Sequence, residues 1–310
     1  MGILRIGSRK SALAMTQTRW LIEQWQKRVP GLSAEVVPMT TRGDRVLDVP
    51  LSRVGGKGLF VEEIERALLE KRIDAAVHSL KDLPAQLAPG TVVGAVPRRE
   101  DPRDAVITRD GRPFDDLPSG ARVGTSSLRR VAQLRRYRPD LAFIPLRGNV
   151  DTRLRKLAAG EVDAVVLAAA GILRLGLGDR ITEYLSPEIC LPAVGQGALA
   201  VQCREADEDT RRSLESVEDA AARKTVEAER TCLAALEGGC QVPIGALAEI
   251  RDGHIRLAAM VARPDGSELL RVVVQGEDPA EVGRRAAADL LELGAGKLLQ
   301  ETREEAELGG

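Results

Sequence analysis

Short apolar runs alternate with stretches of helical periodicity over residues 1–200, the pattern of an α/β sheet with crossover helices. Leu4–Ile6 reads as a strand that runs into Gly7–Ser8 and then a helix through Trp25. A turn at Pro30–Gly31 leads to a second strand, Ala34–Met39. A polar, Gly-rich segment follows, and then a helix from Leu59 to about Lys71, with Phe60, Ile64, Ala67 and Leu68 at helical spacing. Ile73–Leu80 reads as another strand. The pattern predicts a parallel sheet.

The same order recurs further along. Arg5-Ile6-Gly7-Ser8 is echoed by Arg122-Val123-Gly124-Thr125, and Val36-Val37-Pro38-Met39 by Phe143-Ile144-Pro145-Leu146. Asp74-Ala75-Ala76-Val77 is echoed by Asp163-Ala164-Val165-Val166. Any one echo is weak, because such strings are common; their shared order predicts two similar, periplasmic-binding-protein-like lobes. Lobe 1 is expected at 1–98 and 198–216 and lobe 2 at 102–192, joined around Pro97–Pro102, with Gly197–Gln202 returning as a strand. Two connections suit a hinged cleft, a favoured place for ligands. From about Val217 the pattern changes to a helix (Thr225–Leu236), three strands (Ala246–Ile250, Ile255–Ala262, Leu269–Gln275) and a final helix after Asp278-Pro279. The expectation for 217–310 is a small α+β domain.

Composition narrows the function. Lys plus Arg (45) nearly cancel Asp plus Glu (46) and aromatics are only 2%, which argues against a general nucleic-acid binder. No apolar run is long enough to span a membrane. The opening MGILRIGSRKSALA does not read as a signal peptide, so a cytoplasmic protein is expected. The four cysteines match no zinc or CxxC spacing, and with two histidines neither a His-centred triad nor a His-bound metal is expected.

The candidate chemistry lies at strand ends. Gly7-Ser8-Arg9 and Gly124-Thr125-Ser126-Ser127 are loop-to-helix junctions that could cap a helix or face an anion. Their matched positions in paired lobes favour the anion. Arg9, Arg129, Arg130 and Arg147 stand beside strand C-terminal ends, where a guanidinium fork can hold carboxylates. Arg135, Arg136 and Arg138 read as a solvated helix face. Asp82, after His78-Ser79-Leu80-Lys81, could stabilise a cation or move protons, or be a turn aspartate before Pro84. The segment 40–58 reads as a lid, and Cys240, between Gly238-Gly239 and Pro243, as a thiol placed for a covalent bond.

Taken together, IGSRKSALA (6–14), VGGKGLF (54–60), AVHSLKDLP (76–84), REDPRDA (99–105), GTSSLRR (124–130), LRGNVDTRL (146–154), LPAVGQGA (191–198) and EGGCQVPIG (237–245) closely resemble the porphobilinogen deaminase family. The resemblance covers nearly the whole chain. It implies a transferase that joins four porphobilinogen molecules head to tail with loss of ammonia, giving the linear tetrapyrrole hydroxymethylbilane. The chain would grow on a dipyrromethane cofactor held as a thioether at Cys240, with Asp82 as the catalytic residue. By the same carry-over Ser79, Lys81, Asp82, Thr125, Ser127, Arg129, Arg130, Arg147 and Gly148 would hold the cofactor. Arg9, Arg147, Arg153 and Arg174 would hold substrate, and Arg53 and Lys57 would belong to the lid. No metal, nucleic acid or membrane partner is implied, and nothing demands more than a monomer. The rival reading is a two-lobed carboxylate-binding protein without catalysis; a thiol acyl transferase using Cys240 lacks an obvious histidine base.

Overall fold

The computed structural model describes residues 2–41, 61–236 and 242–308. In lobe 1, β1 (Leu4–Arg9) lies parallel to β2 (Ala34–Met39) on one side and β3 (Ala75–Ser79) on the other. β4 (Thr91–Ala95) forms the far edge, and β10 (Leu199–Arg204) lies between β3 and β4, antiparallel to both. The helix α1 (Ala12–Arg28) links β1 and β2 and covers one face. Ser11 caps it by accepting from the Ala14 N–H at 3.2 Å, and Lys27 and Arg28 sit at its negative C-terminal end. Its Leu21, Ile22 and Trp25 pack with Ile6, Val77 and Val201. On the other face α2 (Glu62–Leu69) packs Ile64, Ala67 and Leu68 against Ile73 and Ala76.

Lobe 2 repeats this plan. β6 (Arg122–Gly124) lies between parallel β7 (Ala142–Ile144) and β8 (Ala164–Ala168), while β5 (Asp104–Thr108) runs antiparallel beside β8 and β9 (Glu183–Tyr184) closes the edge. The orders β2-β1-β3-β10-β4 and β7-β6-β8-β5-β9 correspond position by position. The echoed sequences are therefore equivalent strands: β1 with β6, β2 with β7, β3 with β8. The helices α3 (Leu128–Tyr137), α4 (Val150–Ala158) and α5 (Ala169–Arg174) follow β6, β7 and β8.

Each sheet is mixed rather than parallel, and the antiparallel strands have a common origin. β5 enters lobe 2 directly from lobe 1, and β10 enters lobe 1 directly from lobe 2. Neither follows a crossover helix, so neither is obliged to run parallel to its neighbour. The two connectors, 96–103 and 186–198, touch where the Glu100 N–H donates to the Gly197 carbonyl at 3.1 Å. Gly197 has φ +87°, and any Cβ there would collide with the Glu100 carbonyl. This crossing accepts only glycine without strain.

The helix α6 (Glu208–Leu214) completes lobe 1, and α7 (Ala220–Ala235) opens the third unit. α7 begins earlier than periodicity suggested because Asp219 caps it, accepting from the Ala222 N–H at 2.8 Å. The strands β11 (Ile244–Arg251), β12 (His254–Ala262) and β13 (Leu269–Gly276) form an antiparallel sheet. It is followed by two helices where one was expected, α8 (Pro279–Glu292) and α9 (Ala295–Leu308). One face of the sheet packs Ala246, Leu257 and Val261 against Ala228, Cys232 and Leu290. Its other face sets Leu247, Ala258 and Met260 against Ala132 of lobe 2 and Leu191 of the second connector. Among the described residues no helix is long and apolar enough to cross a membrane, and no cluster of His, Cys, Asp and Glu is arranged to hold a metal.

Candidate functional site

Lobe 1 presents the ends of β1 and β3. After Ser79 the chain makes a single 3-10 turn, Leu80–Asp82, in which Leu80 is buried and Asp82 stays 38% exposed. Arg9, at the end of β1, places Nη1 3.8 Å from the Asp82 carboxylate, a loose ion pair. Ser79 Oγ lies 3.2 Å from both Oε1 and Nε2 of Gln17 on α1. Arg9, Ser11, Gln17, His78, Ser79 and Asp82 line one small cavity of about 70 Å³. His78 is buried, and burial pushes its imidazole down to about 4, so it stands neutral.

Lobe 2 answers with arginines, and two of them are already engaged. Asp104, fully buried at the start of β5, accepts from Arg129 Nη1 at 2.8 Å and from Arg130 Nη2 and Nε at 2.7 and 3.0 Å. Arg129 also donates to the Leu191 carbonyl at 2.6 Å and Arg130 to the Val166 carbonyl at 3.0 Å. Burial would raise the Asp104 carboxyl, but the two guanidiniums outweigh it and hold it well below the usual carboxylate range. Thr125 is buried and its Oγ1 accepts from the Ser127 N–H at 3.3 Å; Ser127 caps α3. Of the two junctions expected from the sequence, the second supplies a helix cap, Ser127; at the first the cap is Ser11, and Ser8 instead accepts from Thr18 Oγ1 at 2.9 Å.

Gln196, on the second connector, spans the lobes. Its Nε2 donates to Asp104 at 2.8 Å, and its Oε1 accepts from Lys81 Nζ at 3.4 Å. Around this bridge the cations crowd. Burial, then the charge of Arg130, pushes the half-buried Lys81 ammonium down to about 8. Burial, then Arg130 and Arg147, pushes Arg153 down to about 10. Arg174, which donates to the Gly197 carbonyl at 2.8 Å, is pushed down to about 10 by burial against the opposing pull of Glu100. Arg153 Nε donates to the Gly148 carbonyl at 2.9 Å; Gly148 has φ +116°, and a Cβ there would lie 2.6 Å from a Thr152 methyl. Burial, helped by the charge of Arg130 and, for Arg153, that of Arg147, weighs on Lys81 and Arg153, and burial alone on Arg174; cations held in this way suit a multiply charged anion.

A family model described as "Porphobilinogen deaminase, dipyromethane cofactor binding domain" matches residues 4–212, and one described as "Porphobilinogen deaminase, C-terminal domain" matches 223–292. The chain is 54% identical over 301 residues to the porphobilinogen deaminase of Geobacillus kaustophilus (strain HTA426), covering 97% of each chain. It is 51% identical over 308 residues to that of Brevibacillus brevis (strain 47 / JCM 6285 / NBRC 100599), covering 99% of this chain and 100% of the relative. The chain belongs to the porphobilinogen deaminase family. Among solved structures, the periplasmic aliphatic sulphonate binding protein SsuA from Escherichia coli overlaps 76% of this chain and 70% of its own at a TM-score of 0.39 and 16% identity.

The part of the chain that matches the cofactor-binding model contains both cleft faces. A dipyrromethane bearing acetate and propionate groups suits the cations Lys81, Arg153 and Arg174, which gain from carboxylates what burial takes from them. Cys240, Arg53 and Lys57, with most of the segment 40–58, lie outside the described residues. The described chain resumes at Val242: the Ala246 N–H donates to the Pro192 carbonyl at 3.0 Å, which sets the start of β11 against the second connector. Neighbouring residues of α7 reach the same region. Glu229, fully buried, accepts from Arg99 Nη1 at 2.6 Å, the Gly195 N–H at 2.7 Å and the Ala248 N–H at 2.8 Å, joining both connectors to β11. Arg230 donates to the Pro84 and Ala85 carbonyls just past Asp82, at 2.8 and 3.0 Å.

Asp104, Gln196, Glu229 and Arg230 escaped the reading of the sequence. Only Asp104 leaves a signal there: it is the one charge in the otherwise uncharged strand Asp104–Thr108, and a carboxylate entering a buried strand needs cationic partners.

Proposed function

We propose that the chain condenses four porphobilinogen molecules head to tail, releasing ammonia at each step and finally hydroxymethylbilane. In this reading a dipyrromethane is held by a thioether to Cys240 and supplies the pyrrole carbon on which the product grows. Asp82 is the group that touches the reacting atoms. Its exposed carboxylate, paired loosely with Arg9, is placed to stabilise positive charge on a pyrrole nitrogen and to take up and return a proton. Ser79, Lys81, Thr125, Ser127, Arg129, Arg130, Arg147 and Gly148 hold the cofactor; Arg9, Arg147, Arg153 and Arg174 hold substrate; Arg53 and Lys57 act from a lid over 40–58. Arg129 and Arg130, tied to Asp104, present only the donors that Asp104 and the backbone leave over. Lobe 1 is taken as 1–98 with 198–216, lobe 2 as 102–192 and the cysteine-bearing domain as 217–310, in a cytoplasmic monomer.

The observation that supports this most is the presence of one reachable carboxylate, Asp82, together with cations depressed chiefly by burial, Lys81 beside it and Arg153 in lobe 2. A carboxylate-binding protein needs the cations but not the acid. Incubating the purified protein with porphobilinogen and measuring ammonia and tetrapyrrole separates the two readings. Ammonia released in step with porphobilinogen consumed, with a linear tetrapyrrole formed, is expected. Binding of porphobilinogen without consumption would leave the non-catalytic reading standing instead.

A further inference from the structure

Away from the cleft, lobe 1 meets the first connector and the start of the third unit around a second cavity of about 210 Å³. Trp20, Gln24 and Arg28 form one side of it, at four-residue intervals on α1 and hence on one helical stripe. Pro97 and Arg98 of the connector and Val217 complete the lining. The polar side chains are donors: two guanidiniums, an amide and the indole N–H, with no carboxylate among the lining residues. Arg28 and Arg98 are exposed, so their charges stand at the rim. Pro97 and Val217 are buried and Trp20 is half-buried, so the floor is apolar. Among the described residues Arg98 makes no ion pair.

We infer that this cavity is a binding site for a small aromatic carboxylate, a single flat ring that lies on Trp20 while its carboxylate is held between Arg28 and Arg98. Size supports one ring, since an apolar cavity of about 150 Å³ already accepts benzene. Charge supports an anion, since every polar side chain of the lining donates and two carry charge. The indole adds a stacking face. The site is separate from Asp82 and its cavity, with which it shares no lining residue. Because the lining comes from α1, the connector and Val217, an occupant joins lobe 1 to the connector that leaves it.

The two tryptophans make the site readable. Trp25 is fully buried with its Nε1 on Ser213, so a ligand-induced change in indole fluorescence reports Trp20. The holoprotein is titrated with isophthalate, with benzyl alcohol as the neutral ring and inorganic phosphate as the ringless anion. Saturable quenching by isophthalate is expected, with both controls at least about tenfold weaker, and R28Q and R98Q each weakening isophthalate about tenfold, one charge-assisted contact apiece. Trp20→Phe removes the signal while turnover of porphobilinogen continues in all three variants. The inference is overturned if isophthalate fails to quench, if the double variant R28Q/R98Q saturates like the wild type, or if phosphate competes equally. Binding of isophthalate in the cleft would instead inhibit turnover equally in the arginine variants, leaving Trp20 silent.

Discussion

Asp82 and Asp104 are the same side chain in opposite surroundings. Asp82, at the end of β3, is 38% exposed and meets Arg9 at 3.8 Å; Asp104, at the start of β5, has no exposed surface and takes Arg129 and Arg130 at 2.8 and 2.7 Å. The difference follows from topology. Asp82 ends a turn that leaves the sheet edge-on to the cleft, whereas Asp104 opens a strand that comes straight from the connector between lobes. One carboxylate is left available for chemistry, while the other is consumed in fixing two arginines and, through Gln196, the lysine opposite. A charged site needs both kinds: an anchor that orders the cations and a free acid that acts among them.

Removing each acid separates their roles. Asp82→Asn is expected to lower turnover by about 10²–10⁴-fold, the usual worth of a positioned proton-transfer group. Its unfolding free energy should move by less than about 0.5 kcal/mol, as for a surface change. Near-normal turnover would erase the distinction. Asp104→Asn should instead cost about 3–5 kcal/mol in denaturant unfolding, because two buried guanidiniums lose their counter-charge. A loss below about 1 kcal/mol would show that the arginines are held by their carbonyl partners alone.

Acid sharpens the contrast. The Asp104 carboxyl is depressed in the folded chain, so its contribution is present above its ordinary value of 3.8 and is lost as pH falls below it. The stability gap between wild type and Asp104→Asn should therefore narrow in acid; a gap constant down to pH 2 would contradict the ion pair. The smallest effect concerns Lys81. Its folded value of about 8 lies below the ordinary 10.5, so between these limits the unfolded chain holds more protons and stability rises with pH. Lys81→Gln should lack that rise, which urea unfolding at pH 7.5 and 10 checks.

Much of this was legible in the residues. The echo of Arg5-Ile6-Gly7-Ser8 in Arg122-Val123-Gly124-Thr125 marks equivalent strands because the same backbone junction, strand into capped helix, serves both lobes. Asp82 was legible as a candidate from its place after a strand in His78-Ser79-Leu80-Lys81-Asp82, while its role came only from the family motif. Strand direction was not, since the run Leu199–Cys203, apolar but for Gln202, reads the same whichever way it lies in its sheet. Nor were the contacts of Glu229 and Arg230, whose partners stand 19 to 146 residues away and leave no local pattern. Arg129 and Arg130 were expected to face a ligand; their pairing with Asp104 left no sign in the sequence because it depends on a strand 25 and 26 residues upstream.

The central claim is a product grown on a group tethered at Cys240. Intact-mass spectrometry of the purified chain and of Cys240→Ser tests it directly. The wild type is expected to exceed its sequence mass of 33.4 kDa by two pyrrole units, and Cys240→Ser to match its sequence mass. A wild-type chain at its bare sequence mass, or an adduct that persists in Cys240→Ser, would contradict the account.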